Sequence, residues 1–260
     1  MKTADLPVKL FLTVTYLVMV GTNYLANALP LNGIQTGEVS DSYPNLFAPA
    51  GITFSIWGVI YALLAVHILY QWGLFHREGA NRGALLNRVG LLFGLSSLAN
   101  TAWVFAWHYD QILISTLLII TILVLLSMIV GALRDAGLDT REYWFIRLPF
   151  SVYVGWITVA TVANITTWLV SIGFDGFGIA ESIWAMVIIA IAAAIGIFKM
   201  LRNRDIAYGV VLIWAYIGIF IKHTSADGWA GRYPGVITTI VVCLVAFLVG
   251  EFLVWRRKTA

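Results

Sequence analysis

Cysteine and charge are both scarce in this chain of 260 residues. The single cysteine, Cys243, excludes an intramolecular disulfide and argues against a cysteine-based metal site. Only 11% of the residues are charged, whereas 60% are hydrophobic and the mean hydropathy is +0.88. A soluble domain of this composition would have too little polar surface to cover its core. These shortages exclude a soluble globular protein and predict an integral membrane protein.

Apolar residues occur in eight runs, each long enough to cross about 30 Å of hydrocarbon at about 1.5 Å per helical residue. We place these runs at residues 10–28, 51–73, 89–108, 112–133, 144–170, 179–200, 206–221 and 235–255. The sequence therefore predicts an all-α, polytopic bundle of eight transmembrane helices.

The basic residues divide unequally between the two ends of these segments. Only Lys222 and Arg232 fall on one side. The other side carries Lys2, Lys9, Arg77, Arg82, Arg88, Arg134, Arg141, Arg147, Lys199, Arg202, Arg204, Arg256, Arg257 and Lys258. Because cytoplasmic loops are enriched in Lys and Arg, both termini are predicted to be cytoplasmic. Topology thus explains the net charge of +3, and we expect no nucleic-acid partner.

The first segment has two interpretations. A basic start followed by an apolar stretch and Ala26-Asn27-Ala28 is typical of a cleaved signal peptide. Asn23 and Asn27, however, lie four residues apart and would share one helix face. This face favours a retained helix, and we expect an integral protein of the bacterial plasma (inner) membrane, with membrane lipid as one partner.

The longest connection, residues 29–49, carries Glu38 and Asp41 and no Lys or Arg. Connections of this length tend to be lids or binding loops, although a tolerated insertion in a surface loop is the alternative. Pro49 keeps the residue before it out of the helical region, so the second helix is predicted to begin near Gly51.

Three predicted helices carry polar and aromatic residues at helical spacing. In the second helix, Trp57 and Tyr61 lie four residues apart and would share a face with Thr53. The stripe of the third helix is Ser96, Asn100, Trp103 and Trp107, and that of the fifth is Pro149, Tyr153, Trp156, Ala160 and Asn164. Such faces can line an apolar pocket with a few polar groups, and packing between helices is the alternative.

The sequence contains little that supports catalysis. No Asp or Glu falls near the centre of a predicted helix, so the sequence does not support a proton relay built from carboxylates. A lone buried histidine such as His67 is more often a packing residue than a ligand. No Ser/His/Asp, metal-binding or P-loop pattern is visible, which argues against an enzyme, a metal site and a required cofactor without excluding an enzyme.

These patterns, in this order, resemble the TspO/MBR family of tryptophan-rich sensory proteins, also called translocator proteins. The matches are Pro49 with Trp57 and Tyr61 in the loop and second helix, Asn100 with Trp103 in the third, and Pro149, Tyr153, Trp156, Ala160 and Asn164 in the fifth. The chain departs from the family where Phe47-Ala48-Pro49-Ala50 replaces a W-x-P-P element. It departs again where Ile114, Ser115 and Thr116 replace an Asp near the start of the fourth helix.

The resemblance covers about residues 8–170. It implies a five-helix TspO/MBR-like core at residues 1–170 and an extended form in which residues 171–260 add three transmembrane helices. It also implies that a small, flat hydrophobic molecule, such as a tetrapyrrole or a sterol-like or lipid-like ligand, binds in an intramembrane pocket under the first extracytoplasmic loop. The ligand-binding residues carried over are Phe47, Pro49, Trp57, Tyr61, Asn100, Trp103, Trp156, Ala160 and Asn164, and the first helix adds Asn23 and Asn27.

The resulting hypothesis is a membrane receptor or carrier with a sensory, regulatory or transport role. The alternative is a secondary transporter built from two parallel four-helix halves. A faint repeat supports it, because Gly51-Ile52-x-x-Ser55-Ile56-Trp57 and Gly178-Ile179-x-x-Ser182-Ile183-Trp184 share five residues at the starts of the second and sixth helices. Porphyrin breakdown at a redox-competent tryptophan is a third possibility. The additional helices also leave room for a different quaternary arrangement, including a homodimer.

Overall fold

The structure is a computed structural model that describes residues 3–29, 31–75 and 82–259. Within these residues, eight helices are long and apolar enough to cross a membrane, and no strand occurs. They are α1 (Leu6–Ala28), α2 (Gly51–Gln71), α3 (Gly83–His108), α4 (Ile112–Arg134), α5 (Thr140–Ser171), α6 (Glu181–Asn203), α7 (Ile206–Thr224) and α8 (Pro234–Thr259). The predicted all-α fold with eight transmembrane helices is confirmed.

The cytoplasmic position of both termini stays a prediction. Of the basic residues behind it, Lys2 and Arg77 lie outside the described residues, as do the side chains of Arg257 and Lys258.

The helix starts follow from local sequence. α1 begins at Leu6, four residues before the predicted start, because Pro7 suits the first helical turn and Asp5 takes the extended backbone of an N-cap. α2 begins at Gly51, two residues after Pro49, as predicted, but its first turn, Gly51–Ser55, is a 3-10 helix. The residues of that turn therefore do not follow the 3.6-residue period of the rest of α2.

The chain forms two compact units. The first contains residues 1–36 and 57–157, and the second contains residues 37–56 and 158–260. Helix α5 contributes its residues up to Ile157 to the first unit and the following residues to the second. The predicted division at residue 170 follows the family resemblance rather than packing, and it stays a prediction.

In the first unit, α3 packs against both α1 and α4. The contact with α1 is close because α3 has glycines there: a Cβ at Gly94 would overlap the ring of Phe11. Phe93 and Phe150, both fully buried, meet edge to face at 5.5 Å in the core of this unit. α3 is therefore the central helix of the unit.

The first part of α5 contains a π-helical turn at Tyr143–Arg147, in which Leu148 donates its N–H to the carbonyl five residues earlier. Pro149 follows and has no N–H, so the carbonyl of Phe145 loses the partner that an α-helix would provide. Nδ1 of His67 donates a hydrogen bond to the Phe145 oxygen at 3.0 Å and replaces the missing partner. A backbone group freed within a candidate membrane-spanning helix is thus satisfied by a neighbouring helix.

In the second unit, α8 packs against α6 and α7, and the 3-10 turn that opens α2 packs against α7. Trp214 of α7 donates its indole N–H to the carbonyl of Thr53 at 3.0 Å, and Ala50 donates its N–H to the carbonyl of Gly218, also at 3.0 Å. The side chain of Thr53 occupies the space where a Cβ of Gly218 would lie. The end of the first loop is therefore fixed to α7.

Candidate functional site

A buried amide network links three helices of the first unit. Asn23 of α1 donates from Nδ2 to Oδ1 of Asn100 in α3 at 2.8 Å. Nδ2 of Asn100 in turn donates to the hydroxyl of Tyr153 in α5 at 3.3 Å. All three side chains are buried, with Asn100 and Tyr153 at 0% exposure. The amides bond to one another and to this tyrosine. The network therefore holds the three helices together by interhelical hydrogen bonds.

Aromatic rings pack beside one another in the same unit. Trp57 stacks on Tyr61 with 5.5 Å between ring centroids, which confirms that these two residues share a face of α2. Trp57 also meets Tyr153 and Trp156 of α5 edge to face, at 5.9 and 6.2 Å. The buried hydroxyl of Tyr61 has no hydrogen-bond partner in the described part of the chain. It is a polar group that a small ligand could use.

Two further predicted site residues of the first unit, Trp103 and Asn27, lie near the ends of their helices. Trp103 stacks on Trp107 at 5.7 Å near the end of α3, and both are buried. Asn27 is exposed and donates to the backbone oxygen of Asn23 at 2.9 Å.

Four predicted site residues belong to the second unit. Phe47, Pro49 and Asn164 are buried there, and Ala160 is half-buried. A single pocket built from all eleven residues stays a prediction.

His67 has no nitrogen left for a metal. Its Nδ1 donates to the Phe145 carbonyl, so its neutral ring accepts through Nε2, which lies 3.2 Å from Nε2 of Gln71. Gln71 also donates to the carbonyl of Leu86 at 3.2 Å. Across residues 3–29, 31–75 and 82–259, no group of three or more His, Cys, Asp or Glu could hold a metal ion.

The second unit contains a cleft of about 720 Å³. Its walls are the first loop, the second part of α5, the α5–α6 turn and the start of α6. The lining residues are Pro44, Asn45, Leu46, Phe47, Val162, Ile165, Thr166, Leu169, Val170, Gly173, Phe174, Asp175, Gly176, Ile179, Glu181, Trp184, Ala185 and Ile188. Of the predicted site residues, Phe47 lines it.

Helical spacing explains the two helical walls of the cleft. On α5, Val162, Ile165 and Leu169 lie at offsets 0, 3 and 7 and present one apolar face. On α6, Trp184 and Ile188 lie four residues apart on the face that also carries Ala185. Ala185 is the small residue of this face, so it leaves room where a larger side chain would fill the cleft.

The loop wall is shaped by Asn45. Its Oδ1 accepts hydrogen bonds from the N–H groups of Phe47 and Ala48 at 3.1 and 2.9 Å, and its Nδ2 donates to the carbonyl of Tyr43 at 3.0 Å. The hydroxyl of Thr166 on α5 also approaches Oδ1, at 3.4 Å. One buried amide therefore folds the loop and connects it to α5.

The α5–α6 turn closes one end of the cleft. Trp184 donates its indole N–H to the carbonyl of Gly176 at 2.8 Å. Gly176 has φ +67, and a Cβ there would lie 2.8 Å from the Trp184 ring, so this position requires glycine. Asp175 accepts a hydrogen bond from the N–H of Phe177 at 2.9 Å and holds the turn.

The α6 wall and the turn were not among the site residues predicted from the sequence. A signal for α6 was present, because positions 181, 184, 185 and 188 form one helix face with a tryptophan beside an alanine. No comparable periodic signal marks the turn, because its shape depends on the positive φ of Gly176 and on the Trp184 hydrogen bond.

A family model described as TSPO-like protein matches residues 9–254 of this chain. No curated protein and no solved structure matches it. The family match includes α6, α7 and nearly all of α8, so these helices belong to the matched region as much as α1–α5 do.

Proposed function

We propose that this chain, which belongs to the TSPO-like protein family, is a receptor or carrier of the bacterial plasma membrane that holds a small hydrophobic ligand beneath its first loop. Membership supports a membrane protein associated with ligand binding or transport in general. The cleft of the second unit is the observation that carries the more specific proposal.

The size and chemistry of the cleft fit a small-molecule site. Its volume of about 720 Å³ falls within the range of about 300–1,000 Å³ typical of such sites. Its walls are mostly aliphatic and aromatic, with a few polar groups at the loop and the turn. Burial of apolar ligand surface would supply the binding free energy, at about 25 cal/mol per Å².

The loop explains why the ligand would lie beneath it. Residues Pro44 to Phe47 form one wall, Phe47 and Leu46 are almost fully buried, and the loop is tied to α7 by the hydrogen bond between Nε2 of His223 and the carbonyl of Leu46 at 2.9 Å. A wall fixed in this way preorganises the cleft, which lowers the entropy that ligand binding must overcome. We propose reversible, non-covalent binding of a small hydrophobic or lipid-like molecule, with no resident cofactor.

Photoaffinity labelling tests this proposal. The full chain in phosphatidylcholine nanodiscs is labelled with a diazirine analogue of dodecanol, and the labelled peptides are mapped by mass spectrometry. We expect saturable labelling of residues 162–188. Ala185→Trp should reduce that labelling about tenfold because the indole fills the cleft.

Ile191→Trp is the matched control. Ile191 lies on the same helix, is 55% exposed and does not line the cleft, so the same new side chain should leave the labelling unchanged. Equal labelling of Ala185→Trp and the unmodified chain would overturn the proposal. Counterflow of labelled dodecanol in proteoliposomes then separates a carrier, which exchanges the probe across the bilayer, from a receptor, which only binds it.

A further inference from the structure

The charges at the cleft define the kind of molecule that it would hold. We infer that the ligand is a cationic amphiphile, an amine with one apolar tail or ring system, whose ammonium group lies against Asp175 and Glu181. This inference rests on the proposed function, because it names the ligand class of the same cleft.

The charges that line the cleft are complementary to a cation. Asp175 and Glu181 are the charged residues among those lining the cleft, and within the described part of the chain no Lys or Arg lines it. Nζ of Lys222, in the same unit, lies 2.9 Å from Oδ1 of Asp41, so this lysine is already paired with a carboxylate. A bound cation would meet two carboxylates without a competing ammonium or guanidinium group in the described lining.

The polarity of the cleft changes along its length. Asp175 lies in the α5–α6 turn, and Glu181 lies in the first turn of α6. On α6 the lining continues from Glu181 to Ile188, about 10 Å along the helix axis, through residues that become apolar. On α5 it continues from the turn back to Val162. One end is acidic and the remainder is apolar, which is the pattern of an amphiphile.

The two carboxylates disfavour binding of other membrane molecules in the cleft. A phospholipid would bring its phosphate next to its ammonium group, and the lining formed by the described residues offers no basic side chain to receive the phosphate. A fatty acid or a tetrapyrrole with free carboxylates would place like charges together. We therefore commit to a single-chain or aromatic amine rather than to a phospholipid.

Matched competitors test the inference. The full chain in phosphatidylcholine nanodiscs is labelled with the dodecanol photoprobe in the presence of dodecylamine, dodecanol or dodecanoate, which differ only in the head group. We expect dodecylamine to compete about tenfold more strongly than dodecanol, and dodecanoate to compete least.

The double variant Asp175→Asn, Glu181→Gln removes both charges and keeps the shapes. The amide oxygen introduced at position 175 would still accept the N–H of Phe177, so the turn should persist. In this variant we expect dodecylamine and dodecanol to compete equally. The amine partitions into the lipid to the same extent in nanodiscs of the unmodified chain and of the double variant. A difference between the two proteins therefore does not come from partitioning.

Two results would overturn the inference: equal competition by amine and alcohol in the unmodified chain, or a preference for the amine that survives in the double variant. Labelling that Ala185→Trp still blocks, without any head-group preference, would overturn the inference alone. Labelling that Ala185→Trp does not change would overturn the proposed function as well.

Discussion

Asn100 and Asn45 are both buried, at 0% and 6% exposure, yet each determines a different property of its unit. Asn100 exchanges hydrogen bonds with side chains of two other helices in the first unit. Asn45 bonds mainly to the backbone of its own loop in the second unit, and that loop forms a wall of a cleft. The first amide holds helices together, whereas the second shapes a surface that remains open.

The two units as a whole differ in the same way. In the first, two asparagine amides and a tyrosine hydroxyl bond to one another, and His67 bonds to the carbonyl of Phe145, inside the helix packing. In the second, the carboxylates of Asp175 and Glu181 lie at an accessible cleft and are exposed. Polar residues inside a membrane protein are therefore not by themselves evidence of a binding site. The two units differ in the placement of these groups, which lie inside the helix packing in the first unit and at an open cleft in the second.

Asn100→Leu should give the largest effect on stability. The amide of Asn23 and the hydroxyl of Tyr153 would each lose a partner, and interhelical hydrogen bonds in membranes contribute about 0.6 kcal/mol on average and up to about 1.7. We expect the free energy of unfolding, measured by SDS titration in bicelles, to fall by about 1–2 kcal/mol. Photolabelling of the cleft should not change. Asn27→Leu, at an exposed position of α1, is the control, and an equal loss there would contradict the structural role of Asn100.

Asn45→Ala, unlike Asn100→Leu, should affect ligand binding as well as stability. Removing its carbonyl leaves the N–H groups of Phe47 and Ala48 without their acceptor, which we expect to cost about 1 kcal/mol of stability. Labelling of the cleft by the dodecanol probe should weaken about threefold because the loop wall is no longer fixed. Asn45→Asp keeps the acceptor and should restore labelling. Full labelling of Asn45→Ala would show that the loop does not shape the site.

Lys222→Met should have a smaller effect than either asparagine variant. The side chain of Asp41, its partner, is 59% exposed, and ion pairs at such positions contribute about 0–1 kcal/mol before salt screening. We expect a loss below about 0.5 kcal/mol in dilute salt and none in molar salt. Asp41→Asn should give the same salt dependence. A loss that persists in molar salt would assign Lys222 a role beyond this pair.

Asp135→Asn should give the smallest effect. The hydrogen bonds from Arg134, at 3.0 Å, hold the pKa of Asp135 below its usual range. A carboxyl whose pKa is lower in the folded state stabilises the protein above its unfolded pKa, and this contribution disappears as the pH falls through the folded pKa. Thermal unfolding between pH 7 and acidic pH should therefore depend slightly less on pH in the variant. A steeper dependence would contradict this sign.

The number and type of the helices could be predicted from the sequence because apolar runs of membrane length have few other physical solutions. Pro49 also predicted the start of α2 correctly. The start of α1 was placed too late, because the apolar run begins after the helix does and the helix start depends on Asp5 and Pro7. Hydropathy measures the length of a hydrophobic segment, whereas capping residues determine where the backbone becomes helical.

Less of the candidate site than of the fold could be predicted from the sequence. The spacing in α2 predicted correctly that Trp57 and Tyr61 share a face. The stripe on α3 could not show that the amide of Asn100 would bond to Asn23 and Tyr153. The cleft depends on a glycine with positive φ and on an indole bonded to a turn carbonyl, and neither leaves a periodic trace. One missed contact did have a signal: Pro149 frees the carbonyl of Phe145, which requires a donor such as His67.

The π-helical turn at Tyr143–Arg147 has a consequence for insertions and deletions in this chain. Such a turn holds one more residue than an α-helical turn, so deleting one residue there would restore a regular α-helix and leave the orientation of the preceding segment nearly unchanged. The same deletion in the regular part of α5 would rotate that segment by about 100° and turn Glu142 away from Arg82, whose Nε lies 2.7 Å from Oε1 of the glutamate. Single-residue deletions in α5 should therefore be better tolerated within this turn than after it.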